Sequence, residues 1–329
     1  MVEPQTVIAP PARATVFLVV TITPGREETV RDLLEDVSGL RRSVSFRAPD
    51  DQLSCVVGVG SAAWDRLFDG PRPQGLHAFV ELTGERHRAP ATPGDLLFHL
   101  RARRMDLCFE LARLIGERLR GAVTVVDEVH AFKYFDERDL LGFVDGSENP
   151  EGRRAVDAVF IGDEDPDFTG GSYVIVQKYL HDLTAWNALS SQEQEEVIGR
   201  TKAANVELPD DVKPADSHVA LNTITDEDGN ERKIVRENMP FGTIGEGEFG
   251  TYFIGYARTP DVTEQMLRNM FLGDGRGAHD RILDFSTAIT GCLFHVPTAT
   301  FLDDLPDAPV GAARTGGSLG IGSLKGART

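Results

Sequence analysis

Cysteine is scarce: Cys55, Cys108 and Cys292 are the only three in 329 residues, far apart and without CxxC spacing. An odd, scattered set of this kind argues against a disulfide framework and against a cysteine-built zinc or iron–sulfur site. A reducing cytoplasm is the expected setting. Long apolar runs are missing as well. The N-terminal run FLVVTI has six residues before polar residues return, too short for a secretory signal or a membrane span. Basic clusters are also absent. With 34 Lys and Arg against 52 Asp and Glu, the net charge is -18, so neither a nucleic acid nor an anionic membrane is an expected partner.

What is present is ordinary globular material, 41% apolar and 26% charged, enough for one large domain or two of about 150 residues. ATVFLVVTI from Ala14 predicts a strand, and the stretch after it repeats apolar positions Val30, Leu33, Leu34 and Val37 at helical spacing. LSCVVGVGS predicts a strand, AAWDRLFDG a short helix, HAFVEL and GDLLFHLRA strands, MDLCFELARLIGERLRG a helix and AVTVVDEVHAF a strand. The second half repeats this grammar. SYVIVQKYLHDL predicts a strand, TAWNALSSQEQEEVIGRTK one helix opened by a Thr cap, GTYFIGYAR a strand and VTEQMLRNMF a helix. The expected organisation is a disordered lead-in at 1–13, α+β halves at 14–145 and 146–302, and a flexible tail at 303–329. The polar, Gly-rich connection at 203–249, with DEDGNERK as a hairpin tip, is long enough to suggest function.

Four segments hold residues able to do chemistry. GFVDGSENP places Asp145 between glycines, which reads equally as a plain Asp-Gly turn. His218 in PADSHVALN is one of eight histidines, but it lies in the long polar connection, where a neutral imidazole can face a cofactor. Arg236 and Asn238 in KIVRENMPFG share one face if that segment is extended; the plain alternative is a half-exposed strand. Asp280 in GAHDRILDFS either caps a helix or accepts the Nδ1 proton of a metal-bound histidine.

Taken in order, GFVDGSENP, His218, RENMPFG running into GEFGTYFIGYAR, and HDRILDFS resemble the dye-decolourising peroxidases, most like their bacterial B-type subgroup. The resemblance spans roughly residues 14–302. It implies an α+β fold of two ferredoxin-like halves, of the dimeric α+β barrel type, enclosing one haem b. It further implies that His218 is the iron ligand and Asp280 its carboxylate partner. Asp145, Arg236 and Asn238 become the catalytic residues on the other side, with Arg236 also contacting the cofactor. The implied activity is reduction of hydrogen peroxide with oxidation of dyes, phenols or other small organic reductants. A carboxylate with an ordinary pKa of about 3.9 stays basic in mild acid, so activity is expected near about pH 4 to 5. Bulky donors cannot reach a buried haem, which makes Trp186 and Tyr252 candidates for carrying oxidation to the surface.

The tail adds a second resemblance. GGSLGIGSLKG is similar to the targeting peptides by which cargo proteins enter encapsulin shells, its apolar side chains Leu319, Ile321 and Leu324 standing out on a flexible stretch. It implies a shell protein as partner, residence in an encapsulin nanocompartment in the cytoplasm, and a homo-oligomer. Two other readings stay open: a haem-handling or iron-releasing protein, and a chlorite-decomposing haem enzyme. The first needs no distal acid–base pair, and the second has no proton to shuttle.

Overall fold

The computed structural model describes residues 2–146, 148–273 and 278–309; the docking peptide within 316–326 lies outside the described residues. In the first half, β1 (Ala14–Ile22), β2 (Ser54–Gly60), β3 (Leu96–Ala102) and β4 (Val123–Phe132) are joined in part by α1 (Glu27–Ser45) and α2 (Met105–Arg118). β1 is buried at every position but one, so it reads as a continuous apolar run rather than an alternation. α1 seals one sheet face with Val30, Leu33, Leu34 and Val37, as its spacing predicts, and carries Glu27 and Glu28 in its first turn, where the helix dipole favours acids. The strand order β4-β1-β3-β2 is that of a ferredoxin-like sheet.

The second half repeats the pattern. It contains β5 (Ser172–His181), α3 (Ser191–Ile198), α4 (His218–Asn222), β6 (Val235–Arg236), β7 (Met239–Thr243), β8 (Glu248–Ala257), α5 (Pro260–Leu272) and β9 (Cys292–Val296). The two sheets join where β9 pairs with β2 at Phe294↔Gly60 and His295↔Val59. One ten-stranded antiparallel sheet results, with β6 and β4 at its ends, and it does not close into a barrel. The largest apolar cluster draws on both halves, from Val16 and Leu34 to Tyr173 and Leu267. No helix among the described residues is long and apolar enough to cross a membrane.

The structure corrects four local expectations. The lead-in is not loose. Where β2 and β9 diverge, the buried Gln5 carboxamide accepts from Val57 N (2.8 Å) and donates to Val57 O (2.9 Å) and Pro297 O (2.8 Å), standing in for a missing strand. A single side chain doing backbone work carries no periodicity that a sequence pattern registers. The tail packs as far as Asp307: Arg31 donates to Pro306 O at 2.7 Å and Asp69 N to Asp307 O at 2.9 Å. HAFVEL finds no neighbouring strand except at Leu82–Thr83, so β-propensity alone does not make it one. The helix expected from Thr184 is two helices. The first, Leu183–Ala188, is capped by Asp182, whose side chain accepts from Ala185 N. The second is α3, opened by a reciprocal Ser190–Glu193 capping box.

Candidate functional site

A cavity opens between the second half and the 139–144 segment, walled by apolar side chains that include Phe143, Phe253, Met266, Leu267, Met270 and Ile282. Two histidines, His181 and His218, line it. His181 has both ring nitrogens engaged, Nδ1 with Ser286 Oγ at 2.7 Å and Nε2 with Thr251 Oγ1 at 2.9 Å, and burial pushes its pKa down to about 4. It is a neutral structural residue with no nitrogen left for a metal. His218 differs. Its Nδ1 lies 2.7 Å from Asp280 Oδ2, which fixes the proton on that nitrogen and leaves the Nε2 lone pair as the ring's metal donor.

Asp280 is fully buried, and its two carboxylate oxygens serve two different partners. Oδ1 accepts from Ile282 N at 3.0 Å and caps the short 3-10 helix Arg281–Asp284, while Oδ2 takes His218. Asn222 supports the pair, donating to His218 O at 2.8 Å and lying 3.4 Å from Asp280 Oδ2.

Arg236 and Asn238 both line the cavity, as alternation along an extended segment requires. Glu237 between them takes the other side and pairs with the buried Arg101, which also donates to Thr6 O and Val7 O. Asn149 clamps Arg236 from outside: its Oδ1 accepts from Arg236 N at 2.9 Å and its Nδ2 donates to Arg236 O at 2.7 Å. The Asn of GFVDGSENP is thus a positioning residue. Gly146 in the same turn sits at φ +77°, left-handed backbone that favours glycine.

Asp145 is not on the cavity wall. It lines an adjoining opening whose border with the cavity is formed by Val144, Arg236 and Asn238. Asn238 bridges the two: Oδ1 accepts from Ile254 N at 3.2 Å, which turns Nδ2 toward Asp145 Oδ1, 3.4 Å away. A third opening shares His218 and Arg236 with the cavity and carries Arg200, Arg232 and Lys233, which pair with Glu148, Asp261 and Glu231.

The sequence reading missed Arg101, Glu237 and Asn149, whose partners are distant in the chain. It also missed Asp139, a cavity-lining carboxyl that burial pushes up to about 7, with the charge of Asp145 adding to the shift. Trp186 and Tyr252 are corrected. Both are buried to 1% exposure or less, Trp186 donating to Leu141 O at 2.9 Å and Tyr252 stacked on Phe17 at 4.0 Å, so neither offers an oxidation point at the surface. All three cysteines are buried and unpaired, and burial pushes each thiol up, Cys292 to about 11.

Paired ferredoxin-like halves, with an imidazole–carboxylate pair, an arginine and an amide at the wall of one apolar cavity, are features in keeping with a peroxidase of the haem type. The chain belongs to the Dyp-type peroxidase family, whose N-terminal model matches residues 4–133 and whose C-terminal model matches residues 136–301. It is 64% identical to a dye-decolorizing peroxidase of Mycolicibacterium paratuberculosis, over 99% of this chain and 93% of that protein. The encapsulated DyP-type peroxidase of Mycobacterium smegmatis is 65% identical with a TM-score of 0.93, covering 94% of this chain and all of that one. DyPB of Rhodococcus jostii is 59% identical with a TM-score of 0.90, covering 92% and 98%. Variants of that protein altered at an aspartate, an arginine or an asparagine are known in complex with heme. The B-type reading agrees with these relatives, and the chain is a peroxidase enzyme.

Proposed function

We propose that in this haem-dependent peroxidase His218 would hold the iron and Asp145, Arg236 and Asn238 would be the groups that handle peroxide. The observation that carries the reading is the 2.7 Å His218–Asp280 pair at the wall of an apolar cavity that also presents Arg236 and Asn238. The donor set fits a haem: one imidazole whose Nδ1 is held by Asp280 so that Nε2 would serve as the iron donor, with apolar walls around it. The altered aspartate, arginine and asparagine of the Rhodococcus protein stand at the same spacing along the chain as Asp145, Arg236 and Asn238, which supports the assignment. When bound, the haem supplies the iron at which peroxide is reduced.

The residues divide the remaining work. Asp145 accepts a proton from one peroxide oxygen and returns it to the other, so that the bond between them breaks unevenly. Asn238, its carboxamide fixed by Ile254 N, orients peroxide or a water between the cavity and Asp145. Arg236 stabilises charge on the departing oxygen, its backbone held by Asn149. Asp280 draws the His218 proton and raises the basicity of the ring. Small organic reductants then return the electrons. Haem carriage leaves this distal set without a purpose, and chlorite decomposition leaves Asp145 without a proton to shuttle. The test is an absorbance spectrum of wild type beside His218→Ala: loss of normal axial ligation is expected, and an unchanged Soret band would overturn the assignment.

We also propose that the GGSLGIGSLKG tail docks into an encapsulin shell, as the packaged M. smegmatis relative suggests, and that the enzyme enters the shell as a homo-oligomer. The halves at 14–145 and 146–302 are its structural units, and the cytoplasm is its setting.

A further inference from the structure

We propose that His87, His279 and Asp284 form a binding site for a divalent transition-metal cation of the zinc class, separate from the haem cavity. None of the three lines that cavity. His87 Nε2 and His279 Nε2 each lie 3.0 Å from the same oxygen, Asp284 Oδ1, and the three donor atoms are within 4.8 Å of one another. The two rings meet edge to face with centroids 4.5 Å apart. A cation about 2.1 Å from each donor needs donors roughly 3.0–3.4 Å apart, so the two histidine–aspartate separations already match. Two imidazoles and one carboxylate are a donor set that zinc, copper and nickel favour.

The hydrogen bonds among the three groups point the same way. One carboxylate oxygen receives both rings, so each must carry its proton on the nitrogen aimed at Asp284. A divalent cation replaces those two shared protons with one centre that satisfies all three groups. Partial burial pushes the Asp284 carboxyl up, but the hydrogen bonds from His279 and His87 outweigh it and keep it below the usual range. Arg86 Nη1 lies 3.6 Å from the same oxygen, yet its side chain is 66% exposed and free to swing into solvent as a cation enters. The ligand side chains are 19–30% exposed, which leaves room for water at the remaining coordination positions.

The placement gives the site a use. His87 lies in the turn between Leu82–Thr83 and Arg88–Ala89 of the first half. His279 precedes Asp280, the carboxylate on His218, and Asp284 ends the 3-10 helix that Asp280 caps. A cation there clips a first-half turn to the segment that orients the proposed iron ligand, across a separation of 197 residues.

Zn²⁺ titrated calorimetrically into haem-loaded enzyme, with any affinity tag removed, tests this. One Zn²⁺ per chain is expected. His87→Gln and Asp284→Asn, with Soret bands unchanged as proof of an intact fold, are expected to weaken it at least about ten-fold, since disturbing even a ligand's supporting shell costs that much. In a parallel Cu²⁺ sample, electron paramagnetic resonance should show coupling to two imidazole nitrogens. No Zn²⁺ binding in wild type, or equal affinity in His87→Gln, would overturn the proposal whatever the state of the haem site.

Discussion

Asp139 illustrates how a single carboxyl couples the cavity to pH. Its Oδ1 accepts from Phe143 N at 2.9 Å, and burial pushes its pKa up to about 7. An unfolded chain loses this proton near pH 4 while the folded one keeps it to about 7, so stability falls as pH rises through that window, by at most about 4 kcal/mol. Asp139→Asn keeps the acceptor and removes the charge. It is expected to raise the melting temperature of the holoenzyme at pH 8, with the difference from wild type closing toward pH 4, as thermal scans at several pH values would measure. Asp145→Asn makes a different prediction: haem content unchanged and kcat lower by about 100-fold or more, with steady-state assays from pH 4 to 7 as the check. The placement of site residues was legible in the sequence where the side chain lies beside its motif. Asp280 offered two readings, cap and partner to histidine, and two carboxylate oxygens allowed both. Arg101 was not legible, because a side chain that pairs 136 residues away leaves no local mark.

At the scale of the element, the strand alternation through Arg236, Glu237 and Asn238 depends on what lies on its far side. Glu237 is tied to Arg101, which is 2% exposed. Removing one partner of a buried ion pair strands the other, at a cost of about 3–5 kcal/mol. Arg101→Met is therefore expected to lower stability by that order in denaturant titrations and to lower kcat, with Arg236 and Asn238 themselves intact. The helices and long strands were readable because pattern and burial agree in them, the continuous apolar run in β1 and the helical period in α1. HAFVEL and the helix around Trp186 were not, since partner strands and the Asp182 and Ser190 caps decide those segments. The same limit explains Trp186, which looked available for electron transfer and is a core side chain under the 141–143 loop.

At the scale of the molecule, the proposed tail function predicts a separable trait. A chain ending at residue 315 should retain its peroxidase rate and lose co-purification with a co-expressed shell protein; equal loading of the truncated chain would refute the docking role. Duplication was visible in the sequence as repeated strand–helix grammar, but the union of the halves was not, because it rests on two residue pairs between β9 and β2 and on the Gln5 amide.

That shared sheet bears on how the protein comes apart. Because the main apolar cluster takes side chains from both halves, neither half holds a complete interior of its own. Two regions recognised by separate family models should therefore melt as one cooperative unit. Calorimetry on the isolated enzyme is expected to give a single endotherm with matching van't Hoff and calorimetric enthalpies; two resolved endotherms would mean that the halves unfold independently.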